Sequence, residues 1–295
     1  MPGLSTQQMS MIDERGFLSL PGFASAEEAA RMRSIFVELF AARAGEREGA
    51  YGDLSPEATV LNRPNSPQIL LPVNYAPDLH RTECFRNALR IARQILGEDA
   101  RFVMDLAIFK APRSGKATPW HQDVAFRDPH FTYREVSIWI ALQDVDLASG
   151  CLQFLPGSHR GAIREHRPLP HGESLALECQ TGIDPAQAVP CPLPAGGCTI
   201  HFPATLHAST PNSADIPRIA YILTFGTAPE AVEDAVDFPW LSSRATGMRR
   251  QRLEWMRRGG FLVTAWRRLR RGDLRDCRTM LYWARRALRT LGQGQ

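Results

Sequence analysis

Hydrophobic positions along this chain fall into two textures. Between 26 and 43, Met32, Ile35, Phe36, Leu39 and Phe40 recur at steps of three and four, the spacing of one helix face. Ser25 precedes this run and Glu28 stands three residues on, so the pattern predicts a capping box opening an amphipathic helix over 26–43. Phe85, Leu89, Ile91, Ala92 and Leu96, set among arginines, predict a second helix over 80–96. From 102 to 228 the apolar runs shorten and Gly and Pro interrupt them. Phe102–Phe109, Val136–Leu142, Cys151–Leu155, Gly197–Phe202 and Ile219–Phe225 read as strands. Many short strands with frequent turns predict a sandwich or small barrel.

Length and composition agree with one catalytic-sized unit. A chain of 295 residues, 44% hydrophobic, can bury a substantial core. No apolar run approaches the roughly 18 to 20 residues of a membrane-spanning helix, and the first residues carry neither a basic leader nor an apolar signal core. The six cysteines (84, 151, 179, 191, 198 and 277) include no Cys-x-x-Cys pair, so reduced, buried thiols in a cytoplasmic protein are expected. Cys191 and Cys198 are the one pair close enough in sequence to watch for a disulfide.

Charge divides the chain. Residues 244–295 hold 15 Arg, no Lys and three acids, a local charge of +12 that leaves −8 for the rest of a chain whose net is +4. Two structural units are expected, a domain over 1–243 and a basic helical extension over 244–295. Within the extension Leu274, Cys277, Leu281, Ala284, Leu288 and Leu291 draw an apolar helical seam. Upstream, Trp255, Phe261, Leu262 and Trp266 alternate with arginine pairs around Gly259-Gly260. Such a segment suits a hairpin packed on the domain or on a second subunit, or peripheral contact with an anionic membrane. Nucleic acid is the least favoured partner, since no recognised nucleic-acid fold accompanies the arginines.

The densest chemistry is Pro119-Trp-His121-Gln-Asp123. A His and an Asp two residues apart can offer an imidazole nitrogen and a carboxylate oxygen to one metal. A second His would complete a two-His, one-carboxylate facial triad, which leaves one face of an octahedral Fe(II) open. His207 and His201 both qualify, flanking a Pro-containing bend. Arg218, eleven residues after His207, is a cation fit to grip a carboxylate with two parallel hydrogen bonds. The Pro211-Asn212-Ser213 turn between them predicts neighbouring antiparallel strands that present both side chains to one cavity. Ser209 would share a strand face with His207 and donate to the same carboxylate.

His121-x-Asp123, then Gly150-Cys-Leu-Gln-Phe-Leu-Pro-Gly-Ser-His-Arg160, then His207-x-Ser209 with Asn212 and Arg218, resembles the phytanoyl-CoA dioxygenase family. The opening Gly16-Phe-Leu-Ser-Leu-Pro-Gly-Phe23 also resembles it, and the likeness runs from about 10 to 228. The resemblance implies a double-stranded β-helix, a cupin-like jelly-roll with flanking helices. It implies a dioxygenase that binds Fe(II) through His121, Asp123 and His207 and consumes 2-oxoglutarate and O2. Arg218 would anchor the co-substrate, with Ser209 beside it; Trp139 would pack against it or serve as a core tryptophan. Decarboxylation to succinate and CO2 would accompany hydroxylation of an unactivated C–H bond. Halogenating members carry a small residue at the position of Asp123, so the carboxylate favours hydroxylation, with desaturation or ring closure as other outcomes.

The resemblance leaves the substrate open between a small metabolite and a membrane-associated lipid or lipopolysaccharide-type glycolipid reached through the basic extension. A non-catalytic scaffold for membrane or partner binding is the reading from a different class. Loops 45–78 and 161–195, the second with six Pro, are expected to line the pocket. His201 is expected as a core or pocket neighbour and His159 as a loop-fixing residue. His80, His130, His166 and His171 are expected at the surface. Lys110, one of only two lysines, is expected to be solvent-exposed, or else to face a substrate anion.

Overall fold

The computed structural model describes residues 3–54, 65–114, 117–169, 176–242 and 247–271. The chain opens with α1 (Thr6–Arg15), β1 (Phe17–Leu20) and α2 (Ala26–Ala41), then β2 (Tyr51–Asp53), β3 (Pro67–Leu70) and α3 (Glu83–Leu96). There follow β4 (Arg101–Lys110), β5 (Thr118–His121), β6 (Phe131–Thr132), β7 (Glu135–Ala141), β8 (Leu152–Phe154), β9 (His166–Pro168) and β10 (Leu177–Cys179). The barrel ends with β11 (Val189–Pro190), β12 (Cys198–His201), β13 (His207–Ser209), β14 (Arg218–Gly226) and β15 (Glu230–Ala231). Three helices close the described chain: α4 (Pro239–Ser242), α5 (Gly247–Trp255) and α6 (Phe261–Arg271).

Two antiparallel sheets make the jelly-roll. The larger runs β1-β12-β7-β14-β4-β3-β2 and the smaller β11-β8-β13-β5. Strand periodicity sorts the larger sheet's side chains onto two faces. On β7 and β14, Val136, Ile138, Ile140, Ile219, Tyr221, Leu223 and Phe225 join Met32, Phe36 and Ile91 of α2 and α3 in one apolar layer. The alternate residues Trp139, Ala141 and Ala220 meet Leu152 and Phe154 of the smaller sheet in a second layer. Phe17 closes that inner layer, its ring stacked on Phe154 at 4.5 Å. The inner face beyond this layer is open, and the site lies there.

The five strand runs read from the apolar pattern all fall on observed strands, and both predicted helices are present. The capping box at α2 is only half formed. Ser25 Oγ accepts the N–H of Glu28 at 3.1 Å, but the Glu28 carboxylate turns away and accepts the N–H of Glu83 at 2.6 Å. Glu28 thereby fastens α2 to the start of α3. The reciprocal box occurs instead at α1, where Ser5 and Gln8 cap one another. Cys84, Cys151, Cys179, Cys191 and Cys198 are buried free thiols, so Cys191 and Cys198 are not bridged. Cys277 and the seam from Leu274 to Leu291 lie outside the described residues, as does His171.

The described part of the basic extension packs on the jelly-roll. Glu48 receives two hydrogen bonds from Arg267 of α6, at 2.7 and 2.9 Å, and a third from the Tyr75 hydroxyl at 2.8 Å. A Cβ on Gly49 would collide with the backbone nitrogen of Arg252, so only glycine lets α5 approach this closely. Gly49 also adopts φ +64°, which glycine tolerates best. Between α5 and α6 the chain kinks at Gly259, with φ +98°. Phe261, Leu262, Trp266 and Leu269 of α6 remain exposed. No described helix is long and apolar enough to cross a membrane.

Candidate active site

A cavity of about 410 Å³ opens between the sheets. His121 at the end of β5 pairs in register with His207 at the start of β13, which sets their imidazoles side by side with centroids 4.2 Å apart. Asp123 follows in a short turn. One oxygen, Oδ1, faces His121 Nε2 at 3.5 Å and His207 Nε2 at 3.7 Å. The three side chains present ligand atoms that all lie within 4.8 Å of one another.

The ring orientations suit a metal. His121 Nδ1–H donates to the Pro119 carbonyl at 2.8 Å, and His207 Nδ1–H donates to the Thr205 carbonyl at 2.9 Å. Each ring is thus fixed in the tautomer that leaves an Nε2 lone pair directed at the cluster. Burial pushes the His207 imidazole well below its ordinary pKa, with His121 adding to the effect, so it is held neutral. Burial alone would raise the Asp123 carboxyl, but the neighbouring histidines outweigh it and keep the group ionised. Two imidazoles that each direct an Nε2 at the cluster, with a carboxylate, around an open cavity are the donor set that suits Fe(II).

Asp123 Oδ2 points the other way, to His201 Nε2 at 3.4 Å and Ser137 Oγ at 3.5 Å. His201 is therefore the pocket neighbour expected, and a hydrogen-bond partner of the carboxylate as well. His166, expected at the surface, is buried. Its Nδ1–H donates to the Arg164 carbonyl at 2.7 Å, and its Nε2 accepts the backbone N–H of Gln122 at 3.1 Å. His80 is half-buried, stacked on Phe85 at 4.0 Å, because α3 packs over it. His130 is exposed, and His159 bonds to the Asp13 carbonyl, tying its loop to α1.

Arg218 is buried, and its Nε and Nη1 have no hydrogen-bond partner among the described residues. Burial lowers its pKa to about 10, which leaves it charged at neutral pH. Its guanidinium carbon lies 5.4 Å from the Trp139 ring centroid, so the indole supports the fork. A buried cation with two orphaned donors fits a carboxylate that the protein itself does not supply. Arg218 does not stand on a strand neighbouring His207. β13 belongs to the smaller sheet and β14 to the larger, and the chain crosses between them. Asn212 shapes the crossing by donating to the carbonyls of Lys110, Ala111 and Ile216 at 3.2, 3.1 and 2.9 Å.

Lys110 is buried rather than exposed. It pairs in register with Arg218, and its Nζ donates to Ser209 Oγ and to the Thr210 carbonyl, both at 2.7 Å. Burial, with the like charge of Arg218 adding to it, lowers its pKa to about 6. Strand parity carries this signal in the sequence: Met104, Leu106 and Ile108 line the cavity, and Lys110 is next on the same face. Three lining residues come from α5, namely Met248, Arg249 and Arg252. The extension thus contributes to the pocket wall, where the charge pattern predicts a separate unit.

With this geometry in hand, comparison with known proteins is specific. The family model described as "Phytanoyl-CoA dioxygenase (PhyH)" matches residues 12–220. A probable alpha-ketoglutarate-dependent hypophosphite dioxygenase from Stutzerimonas stutzeri is 28% identical over 231 residues, covering 75% of this chain and 78% of its own. EvdO2 from Micromonospora carbonacea var. aurantiaca, solved in complex with 2-oxoglutarate, superposes with a TM-score of 0.71 at 37% identity, over 80% of this chain and 96% of its own. The epimerase SnoN, in complex with Fe3+ and alpha ketoglutarate, shares the fold, with a TM-score of 0.62 at 20% identity over 79% of this chain and 89% of its own. The chain therefore belongs to the phytanoyl-CoA dioxygenase family of Fe(II)- and 2-oxoglutarate-dependent oxygenases.

Proposed function

We propose that His121, Asp123 and His207 hold the iron, and that Arg218, with Ser209 and Trp139, holds 2-oxoglutarate for hydroxylation of an unactivated C–H bond. The observation that carries this reading is the pairing of a three-ligand cluster with a buried, orphaned guanidinium on the facing sheet. Bound iron and co-substrate supply the O2 activation and oxidative decarboxylation that release succinate and CO2. The chain supplies placement. Backbone carbonyls fix the two histidine tautomers, and His201 and Ser137 hold the far carboxylate oxygen so that Oδ1 faces the cluster. Arg218 orients the co-substrate through its distal carboxylate. The apolar lining, from Leu70, Met104, Leu106, Phe126 and Leu152 among others, limits water around the reacting carbon.

The substrate on this reading is a small metabolite in a cytoplasmic setting. A second reading is a membrane-associated lipid or glycolipid at the inner face of the membrane, favoured by the exposed apolar residues of α6 among arginines. Anaerobic addition of Fe(II) and 2-oxoglutarate tests the site, through the weak visible charge-transfer band of the chelate. A band that is lost in His207→Ala and weakened in Arg218→Ala supports the assignment, and a well-folded wild type without a band defeats it. Vesicle flotation with and without 244–295 separates the two substrate readings.

A further inference from the structure

A surface helix ordinarily buries its apolar stripe and wets its polar one, and α6 does the reverse. Leu262, Ala265, Trp266 and Leu269 stand at the spacing that gathers side chains on one stripe of a helix, and Thr264, Arg267 and Arg268 form the opposite stripe. The polar stripe is the half-buried one. Both Nη atoms of Arg267 donate to Glu48, and its guanidinium carbon lies 5.4 Å from the Tyr75 ring centroid. On the apolar stripe Leu262 is 63% exposed, Trp266 54% and Leu269 61%, with Phe261 beside them at 54%. The ion pair with Glu48 sets this rotation, since turning the helix to bury its leucines would break both bonds. A contiguous apolar face held outward in this way marks an interaction surface.

Charge decides what covers it. Residues 247–271 hold nine Arg against one acid, Glu254. Arg257 and Arg258 at the Gly259 kink are exposed, as is Arg270, whose guanidinium carbon lies 4.8 Å from the Trp266 ring centroid. A second copy of the chain would set these arginines against their own kind. Residues 272–295, with five Arg and two Asp, would also add positive charge. An anionic bilayer supplies both the apolar interior and the countercharge. An indole settles at headgroup level, and arginines beside it meet acidic headgroups. A helix of eleven residues with a polar opposite stripe lies in the interface plane and does not span.

We infer that the outward face of α6, made by Phe261, Leu262, Trp266 and Leu269, docks on an anionic lipid surface. None of these four lines the cavity, so the inference goes beyond the oxygenase reading and does not depend on it. A docked α6 would also tether the cavity-lining α5, one kink away in the chain, to the bilayer.

The test floats the full chain with vesicles of phosphatidylcholine alone and of phosphatidylcholine with about one-third phosphatidylglycerol. Binding should be roughly tenfold or more tighter to the anionic vesicles, and brominated acyl chains in them should quench tryptophan emission. The triple change Leu262→Gln, Trp266→Gln and Leu269→Gln leaves the arginines and the Glu48–Arg267 pair in place, and should weaken that binding by roughly tenfold or more. Trp266→Phe should keep flotation within about threefold and lose most of the quenching, a second reading should the triple variant not fold. A wild type that does not float overturns the docking. So does anionic binding that the triple variant leaves unchanged, because charge alone then accounts for it. Without lipid, a wild-type dimer that the triple variant makes monomeric would assign the face to a second copy. Amide exchange over 272–295 that quickens in the triple variant would assign it to the chain's own end, and either result overturns the proposal. The triple variant should keep the chelate band, so a missing band in the wild type defeats the oxygenase reading alone.

Discussion

The imidazole of His166 accepts the backbone N–H of Gln122, the residue between His121 and Asp123, at 3.1 Å. Gln122 is also held by its side chain, which donates to the Ala204 carbonyl at 2.7 Å and accepts the N–H of Arg164 at 2.8 Å. The turn that aims two proposed ligands is thus pinned from three directions. His166→Ala should weaken Fe(II) binding by about 10- to 100-fold, the usual scale for losing an outer partner of a metal site. Titration of the chelate band measures it. Unchanged iron affinity in a folded variant would reduce His166 to a packing residue.

Arg218 separates geometry from charge. Lysine keeps the charge but cannot meet a carboxylate with two parallel donors. Arg218→Lys should therefore raise the dissociation constant for 2-oxoglutarate by roughly tenfold or more, and Arg218→Ala by roughly a hundredfold or more, a scale set by charge-assisted hydrogen bonds. Equal affinity in wild type and Arg218→Lys would place the co-substrate anchor elsewhere.

These two cases mark what could be read in the chain and what could not. His121, Asp123, His207 and Arg218 were singled out by the order of motifs that resembles the family, which also favoured His207 over His201, and the fold brings the four to one cavity. The strands around them were legible because alternation on β7 and β14 buries one face under helices. Which sheet each residue joins was not legible. The Asn212 crossing that moves the chain from β13 to β14 is fixed by hydrogen bonds to Lys110 and Ala111, about 100 residues away. His166 looked like a surface residue for the same reason: its partners, Gln122 and Trp240, are remote in sequence. Lys110 was within reach, since parity with Ile108 turns it inward, but an isolated lysine at a strand end is more often solvated.

Lys110 should make co-substrate binding depend on pH. Burial chiefly, then Arg218, hold its pKa near 6, so it is largely neutral at pH 7.5 in the ligand-free protein. A dicarboxylate arriving between Arg218 and Ser209 favours the charged amine and raises that pKa. Binding then takes up a proton, and 2-oxoglutarate affinity falls as pH rises above about 6, by at most tenfold per unit. The stability effect follows from the same depression. Between about 6 and the unfolded value of 10.5 the native state binds fewer protons, so this group's contribution rises with pH across that window. Calorimetry in two buffers of different ionisation enthalpy reads the proton uptake, which Lys110→Met should abolish. No uptake in the wild type would mean that the amine keeps one protonation state with and without the ligand, which defeats this coupling.

Glu48 should control how firmly the C-terminal helices close the cavity. Glu48 and Arg267 are each about one-fifth exposed, and the ion pair is bidentate, so it is worth more than a surface pair, on the order of 1–3 kcal/mol. Glu48→Gln removes the charge but keeps an acceptor for the Tyr75 hydroxyl; Glu48→Ala removes both. Amide exchange across 247–271 should therefore quicken modestly in the first variant and more in the second, while β7 and β14 keep their protection. Chelate-band affinity should stay at the wild-type level in both, because Glu48 touches neither the metal cluster nor Arg218. Uniform deprotection of the barrel along with the helices would show instead that α5 and α6 are part of its cooperative core.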